Sequence, residues 1–502
     1  MKLGKIDVLS LKLDVLLKNL IMFQRKFEDF EYAEITKEFN LIDKIKFLLK
    51  LTYLYKVYLN FIFIIFKKFV TGNIKFLSIF DFFFKLSVEA DLIRKKKIIK
   101  IGERFIKRKF QKLFFEQNLK KKNIAIFVCT RDIFKSIKFA AKFKEKKYQT
   151  ILITKLEASY RLNNEKKIFD KIISLESYVS IYWLTKFLKF KILYFNCEMF
   201  DLHICKFLNF EKKALKIADF SDQTWCFLQN KKILKNYFGI KNIKSDILYH
   251  KMIIKKFDII YHNWASKFSQ EIINFFKLSK KESLKIKHIS HNVVNERVQT
   301  FQIKKKKRNN LVWAGQIVSE NLPENIFPAR SLGDTFSELS KNNFKVHAFQ
   351  NPQFSKNFLH TNNFSKYIEL EKKKKLTLYR YGADYSQLNY ILKKFDFGLI
   401  LFNTAKLYNH SKIKLDNLIP FKFYSYIESS IPIIVNNEFT HLSYLIKKYK
   451  IGLSINYNQI NTLEKKIKNC DYECLKKNVK IFQKKYSFED FFEKEFFYYR
   501  KI

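Results

Sequence analysis

The sequence predicts an α/β protein of two Rossmann-like, doubly wound domains facing a cleft, preceded by a helical extension. Three observations carry this. Short apolar runs such as Asn123–Cys129 (NIAIFVC), Thr150–Thr154 (TILIT) and Leu311–Ala314 alternate with helical patterns in both halves of the chain, and that alternation builds parallel sheets. The basic run Lys304–Asn309 (KKKKRN) reads as a hinge, and all five prolines lie beyond it. The stretch Leu418–Val435 (LIPFKFYSYIESSIPIIV) reads as a helix opened by Pro420 and closed by Pro432, feeding a buried strand. The implied divisions are a basic helical extension at 1–122, domains at 123–303 and 309–486, and a closing helix at 487–502.

The first domain opens on strand Asn123–Cys129, with Asp132 placed to cap the following helix and Thr150–Thr154 as the next strand. Helix Ser177–Lys189, strand Lys191–Phe195 and helix Asp201–Ala218 continue the order, and strands at Asp258–Tyr261 and Lys287–Ser290 complete it. In the second domain, strand Leu311–Ala314 precedes Gly315 and a helix ending near Ser340. Strands Phe344–Phe349 and Leu376–Tyr379 follow. Asp384 and Gln387 form a capping-box pattern for helix Tyr385–Lys394. Strand Phe397–Phe402 leads into the loop Asn403–Ile419, and Lys447–Gly452 ends a helix with a glycine C-cap pattern.

Composition sets further bounds. A chain of 502 residues is long enough for roughly two to four domains, each with its own core. Lys and Arg number 97 against 47 Asp and Glu, a net charge of +50, which attracts nucleic acid, anionic lipid or phosphorylated substrates; the alternative is lysines spread over solvated faces. The six cysteines are scattered without a metal or disulfide pattern, which suits a reducing cytoplasm. No signal-peptide pattern opens the chain, and its longest apolar run is too short to span a bilayer. Within the extension, Leu41–Val70 places lysines at the edges of a broad apolar face. It reads either as a helix lying on anionic lipid or as a cap on the body of the protein.

Pro420, Lys422, Tyr426 and Pro432 before a strand resemble the donor-domain signature of GT-B fold glycosyltransferases of the group 1 kind. The likeness extends through Leu311–Gly315, Phe395–Phe402 and Tyr449–Ile455, and more loosely over 123–295. Two positions depart from the pattern: Ser425 stands where a ribose-holding glutamate is usual, and Ser430 where a glycine is. The resemblance implies an acceptor domain at 123–303 and a nucleotide-sugar donor domain at 309–486. It implies transfer of a sugar to a hydroxyl of a glycan or lipid-linked acceptor. The nucleotide-sugar is a substrate, no further cofactor or metal is required, and the setting is cytoplasmic, with peripheral contact at the inner face of an anionic membrane.

Residue by residue, Lys422 lies in the first turn of its helix, where free N–H groups and the dipole favour an anion, so its ammonium can pair with a diphosphate. Gly315, after the first strand of its domain, lets backbone approach that diphosphate, or is an ordinary turn glycine. Arg380 follows a strand and precedes a glycine loop, so it can bind phosphate. Tyr426 either packs in the core or places its hydroxyl near the nucleotide. Ser425 stands at the ribose position, and Glu428 one turn on can substitute for the missing glutamate or be a solvated charge. Asn409, His410 and Asn417 in the long loop are further candidate contacts. On the acceptor side, Glu198, Asp201 and His203 (CEMFDLH) follow a strand and are candidates for general base, or are caps and surface charges. Two other readings remain: a nucleic-acid-binding protein driven by charge, and a catalytically degenerate scaffold, motivated by Ser425, that binds a partner.

Overall fold

The structure is a computed structural model describing residues 123–498 apart from 130–132, 156–166, 176–177, 198–201, 211–212, 221–222, 228–239, 290–291, 296–297, 299–307, 318–331, 351–363, 384 and 404–411. The extension at 1–122 therefore lies outside the described residues, as do Asp132, Asp384, Asn409 and His410.

The segment IAIFV is apolar at every position and fully buried, as a strand covered on both faces requires. It forms β1 (Ile124–Val128). Its alternating side chains enter two cores: Ile124, Ile126 and Val128 pack with Ile151 and Leu193, while Ala125 and Phe127 pack with Leu152 and Tyr194. After helix α1 (Phe134–Glu145) come β2 (Gln149–Lys155), β3 (Lys171–Leu175), α2 (Tyr178–Phe187), β4 (Ile192–Cys197), β5 (Leu215–Phe220), α3 (Ile240–Lys256), β6 (Ile259–His262), α4 (Phe268–Phe276) and β7 (Ile286–His288). The seven strands are parallel, in the order β3-β2-β1-β4-β5-β6-β7.

The second unit repeats the plan. Its elements are β8 (Asn310–Ala314), α5 (Gly333–Lys341), β9 (Lys345–Phe349), α6 (Ser365–Lys372), β10 (Leu376–Tyr379), α7 (Tyr385–Leu392), β11 (Phe397–Ile400), α8 (Lys412–Asn417), α9 (Phe421–Glu428), β12 (Ile433–Asn436), α10 (Thr440–Tyr449) and β13 (Gly452–Ile455). Its strands are also parallel, in the order β10-β9-β8-β11-β12-β13. The two doubly wound α/β sheets expected from the sequence are therefore present. In each, strand order reverses beside the first strand, between β1 and β4 and between β8 and β11. Such switch points are where open parallel sheets bind ligands, outside the carboxyl ends of the strands.

After β13 the chain runs through α11 (Leu463–Asn469) and α12 (Tyr472–Lys485), and then returns to the first sheet as α13 (Phe488–Glu493). Phe488 meets Phe139 edge-on with ring centroids 5.0 Å apart, and Phe492 meets Phe143 at 4.9 Å. Lys146 and Glu493 form an ion pair at 2.7 Å. The residues after β7 join the units from the other side. Val293 N–H donates to the Tyr486 carbonyl at 3.0 Å and Phe488 N–H to the Val293 carbonyl at 2.7 Å. Near the strand ends, Ala265 N–H donates to the Asn417 carbonyl at 2.9 Å. Among the described residues no helix is long and apolar enough to cross a membrane.

Three local expectations are corrected. Residues 201–218 are not one helix: a 3-10 stretch at Leu202–Phe207 is followed by β5. Lys216 is the second residue of β5. Here the side chain is buried along the strand, and its ammonium reaches the Ala214 carbonyl at 2.9 Å and Asp258 at 3.3 Å. Gly452 does not cap α10. Lys450 takes the left-handed position (φ 49°), whereas Gly452 opens β13, where an added Cβ would lie 1.9 Å from the Ile433 carbonyl oxygen. The loop Asn403–Ile419 contains a helix, α8.

The end of β4 is braced by a buried chain. His250 Nδ1 lies 2.7 Å from the Asp246 carbonyl, and its Nε2 meets Oε1 of the Gln223 side-chain amide; both partners are acceptors, so the neutral ring donates to one of them. The other end of that amide donates to the Cys197 carbonyl at 3.4 Å. Burial pushes the His250 pKa down to about 4, against the opposing pull of the Asp246 carbonyl. In the unfolded chain the same ring titrates near its ordinary value, so the unfolded state binds more protons between those values. Stability should therefore fall as pH drops from about 6.5 to about 4, by at most about 3 kcal/mol from this group. Denaturant unfolding across that window should show the decline, and His250→Gln should flatten it relative to the parent.

Candidate functional site

Helix α9 begins at Pro420, whose backbone is extended (φ −69°, ψ 146°) and whose ring presets the first turn. Pro420 itself makes no side-chain cap hydrogen bond, and the first turn holds no acidic residue. The helix's own first turn thus adds no negative charge to the positive end of its dipole. Lys422, in that first turn, extends its side chain across the end of β8. Its ammonium lies 3.0 Å from the centroid of the Trp313 ring and 5.4 Å from that of Phe402, just past β11. The ammonium thus stands over the switch point of the second sheet.

Gly315 follows β8 directly. Its φ of 152° is one that side-chain-bearing residues rarely adopt, and its N–H donates to the Phe349 carbonyl at 3.0 Å. A Cβ there would lie 3.2 Å from Lys422 Nζ and 3.8 Å from Trp313 Nε1. The missing side chain leaves a small space lined by an ammonium and an indole. Trp313 was not singled out by sequence reasoning. The signal was available, since a tryptophan two residues before a glycine at a strand end sits beside any ligand held there.

Tyr426 has a different role from a nucleotide contact. Its hydroxyl accepts the Ala314 N–H at 2.9 Å and lies 3.2 Å from the carbonyls of both Val312 and Leu399. It therefore ties β8 to β11 from beneath, and burial raises its phenol well above the ordinary value. Its ring presses on β11 where Gly398 stands, and a Cβ at Gly398 would lie 2.3 Å from Tyr426 Cγ. Ser425 is 3% exposed, turned into the packing of α9. Glu428 is neither a solvated charge nor placed to hold a ribose. It is 2% exposed, and its carboxylate accepts the Val294 N–H at 3.1 Å and the Asn389 side-chain amide at 2.8 Å. It clamps the segment leaving the first unit onto the second. Asn292, in the same segment, donates to the Tyr424 hydroxyl at 3.4 Å.

Arg380 does not join Lys422. It lies at the end of β10, an edge strand two places from β8, and is ion-paired with Glu371. At about 4.8 Å between neighbouring strands, that puts roughly 10 Å of sheet between them. Asn417 is buried, its amide donating to the Ile413 carbonyl at 2.8 Å within α8.

In the first unit, Glu198 follows β4 directly in the chain and Asp201 precedes the 3-10 stretch, but both lie outside the described residues. His203 is half-buried in that stretch, whose neighbours Leu202, Ile204, Cys205 and Phe207 are in the core. The segment leaves the sheet beside its β1–β4 switch point.

Comparisons with known proteins bear on the second unit. Residues 343–497 match the model of the glucosyltransferase 3-like C-terminal domain family, a span that contains Lys422 and all of α9. No curated protein matches the chain. Among solved structures, Phytolacca americana UGT2 complexed with UDP-2fluoro-glucose and pterostilbene is similar at 8% identity, covering 73% of this chain and 94% of that one, with a TM-score of 0.43. The Candida albicans trehalose-6-phosphate phosphatase N-terminal domain is similar at 10% identity, covering 73% and 94%, with a TM-score of 0.44. The UDP-forming α,α-trehalose-phosphate synthase of Burkholderia vietnamiensis is similar at 6% identity, covering 72% and 95%, with a TM-score of 0.39.

Removing the Tyr426 hydroxyl should separate packing from binding. Tyr426→Phe leaves the buried Ala314 N–H without its acceptor and should destabilise the fold by about 1–3 kcal/mol. Thermal or denaturant unfolding measures this, and the affinity of the folded variant for inorganic pyrophosphate should stay within about twofold of the parent, since a change of that size is under 0.5 kcal/mol.

Proposed function

We propose that the protein is a glycosyltransferase that moves a sugar from a nucleotide-sugar to a hydroxyl of a glycan or lipid-linked acceptor. The observation that carries this reading is the Lys422 ammonium over the β8–β11 switch point, at the start of α9. The match of residues 343–497 to a glucosyltransferase-like domain supports it.

In this reading the nucleoside diphosphate lies across the carboxyl ends of β8 and β11. An acceptor hydroxyl oxygen bonds to the anomeric carbon as the bond from that carbon to the diphosphate oxygen breaks. The diphosphate leaves with the electron pair, and the hydroxyl proton passes to a base. Lys422 and the amino end of α9 offset the charge growing on the leaving diphosphate, a stabilisation that is larger in the transition state than before it. The base belongs to the first unit, and Glu198, Asp201 and His203, which follow β4, are the candidates. Because cationic and dipolar groups of the chain handle the leaving group, no metal is required.

Isothermal titration with UDP-, GDP- and CMP-sugars should find at least one ligand, and absence of binding by a folded protein would overturn the reading. Lys422→Ala should weaken that ligand by about 1–3 kcal/mol, the size of a lost charged hydrogen bond. Turnover of the labelled donor should persist in excess EDTA, and loss of turnover that added divalent metal restores would contradict the metal-independent mechanism.

A further inference from the structure

We infer that the indole N–H of Trp313 is a second donor to the diphosphate, acting beside the Lys422 ammonium. The inference rests on the nucleotide-sugar reading above and adds a specific residue to it. Trp313 is the penultimate residue of β8 and is 2% exposed. Its ring is held on one side by Phe402, with centroids 5.1 Å apart, and by Phe336 at 6.4 Å, while its face carries the Lys422 ammonium. These contacts fix the ring, yet its Nε1–H has no hydrogen-bond partner among the described residues.

A buried donor left unpaired is costly, and folded proteins keep few of them. An indole nitrogen only donates, so an acceptor atom must satisfy it. The space it borders is the one Gly315 leaves open. The point where a Cβ would stand is 3.8 Å from Nε1 and 3.2 Å from Lys422 Nζ. Two donors, one of them cationic, converge on that space, and an anionic oxygen is the ligand atom that suits both. Gly315 thus has a reason beyond backbone freedom: a side chain would crowd the space from which an oxygen can approach both donors. Lys422 also gains a stacking platform that holds its flexible stem over the site before ligand arrives.

The test uses the full chain and inorganic pyrophosphate. The protein has four tryptophans, so a proton–nitrogen NMR spectrum should show four indole resonances. Trp313 is assigned by the peak lost in Trp313→Phe, or by elimination with Trp183→Phe, Trp225→Phe and Trp264→Phe if that variant does not fold. Titration should move the Trp313 proton downfield, saturating with the calorimetric isotherm. Folded Trp313→Phe should bind pyrophosphate about tenfold or more weakly, as expected when a hydrogen bond to a charged group is lost. If the Trp313 resonance stays in place while Lys422→Ala weakens pyrophosphate, the inference fails and the glycosyltransferase reading survives. If pyrophosphate does not bind, or neither variant weakens it, both fail.

Discussion

The structure of the second unit depends on how α9 is fixed across the ends of β8 and β11. Tyr426 bonds to backbone of both strands, and Gly398 makes room for its ring. Glu428, two residues further on, ties the same helix to Val294 and Asn389. With its lower turns held in this way, the first turn is set above the switch point, and Lys422 reaches the Trp313 ring. The helix therefore divides its labour along its length. Its buried polar groups build the frame, and its one first-turn cation meets the space beside Gly315.

The same frame connects the two units. The segment after β7 runs between α9 and the α12–α13 corner, bonded to Glu428, Tyr486 and Phe488, while α13 buries Phe488 and Phe492 against α1. Buried polar pairs of this kind are weak sources of net stability but strict about geometry, because a broken pair leaves an unsatisfied group behind. Glu428 is thus a positional device. A carboxylate that resembled a substitute ribose ligand in the sequence is committed to holding one unit against the other.

Much of the fold was legible in the residues. Strands such as β1, β8 and β11 are short, β-branched or aromatic, and apolar on both faces, so their burial in parallel sheets follows from composition alone. The helix expected over 201–218 is instead a 3-10 stretch and a strand, in which Lys216 is buried with its ammonium paired to Asp258. The site was legible in part. Lys422 and Gly315 stood out because helix starts and strand-end glycines have known uses with anions. Tyr426, Ser425 and Glu428 shared the same motif, and spacing does not say which face of a helix is buried. Ser430 shows the reverse case: it occupies a glycine position, adopts φ 57°, and has its hydroxyl bonded by Gln483 at 2.9 Å. The glycine-like conformation was retained without the glycine.

The central claim is that the second unit holds a diphosphate where α9 begins. A crystal structure of the full chain with uridine diphosphate tests it most directly. The account predicts phosphate oxygens within about 3.2 Å of Lys422 Nζ, beside Gly315 at the carboxyl ends of β8 and β11. A diphosphate bound elsewhere, with Lys422 still resting on Trp313 and no anion beside it, would contradict the account.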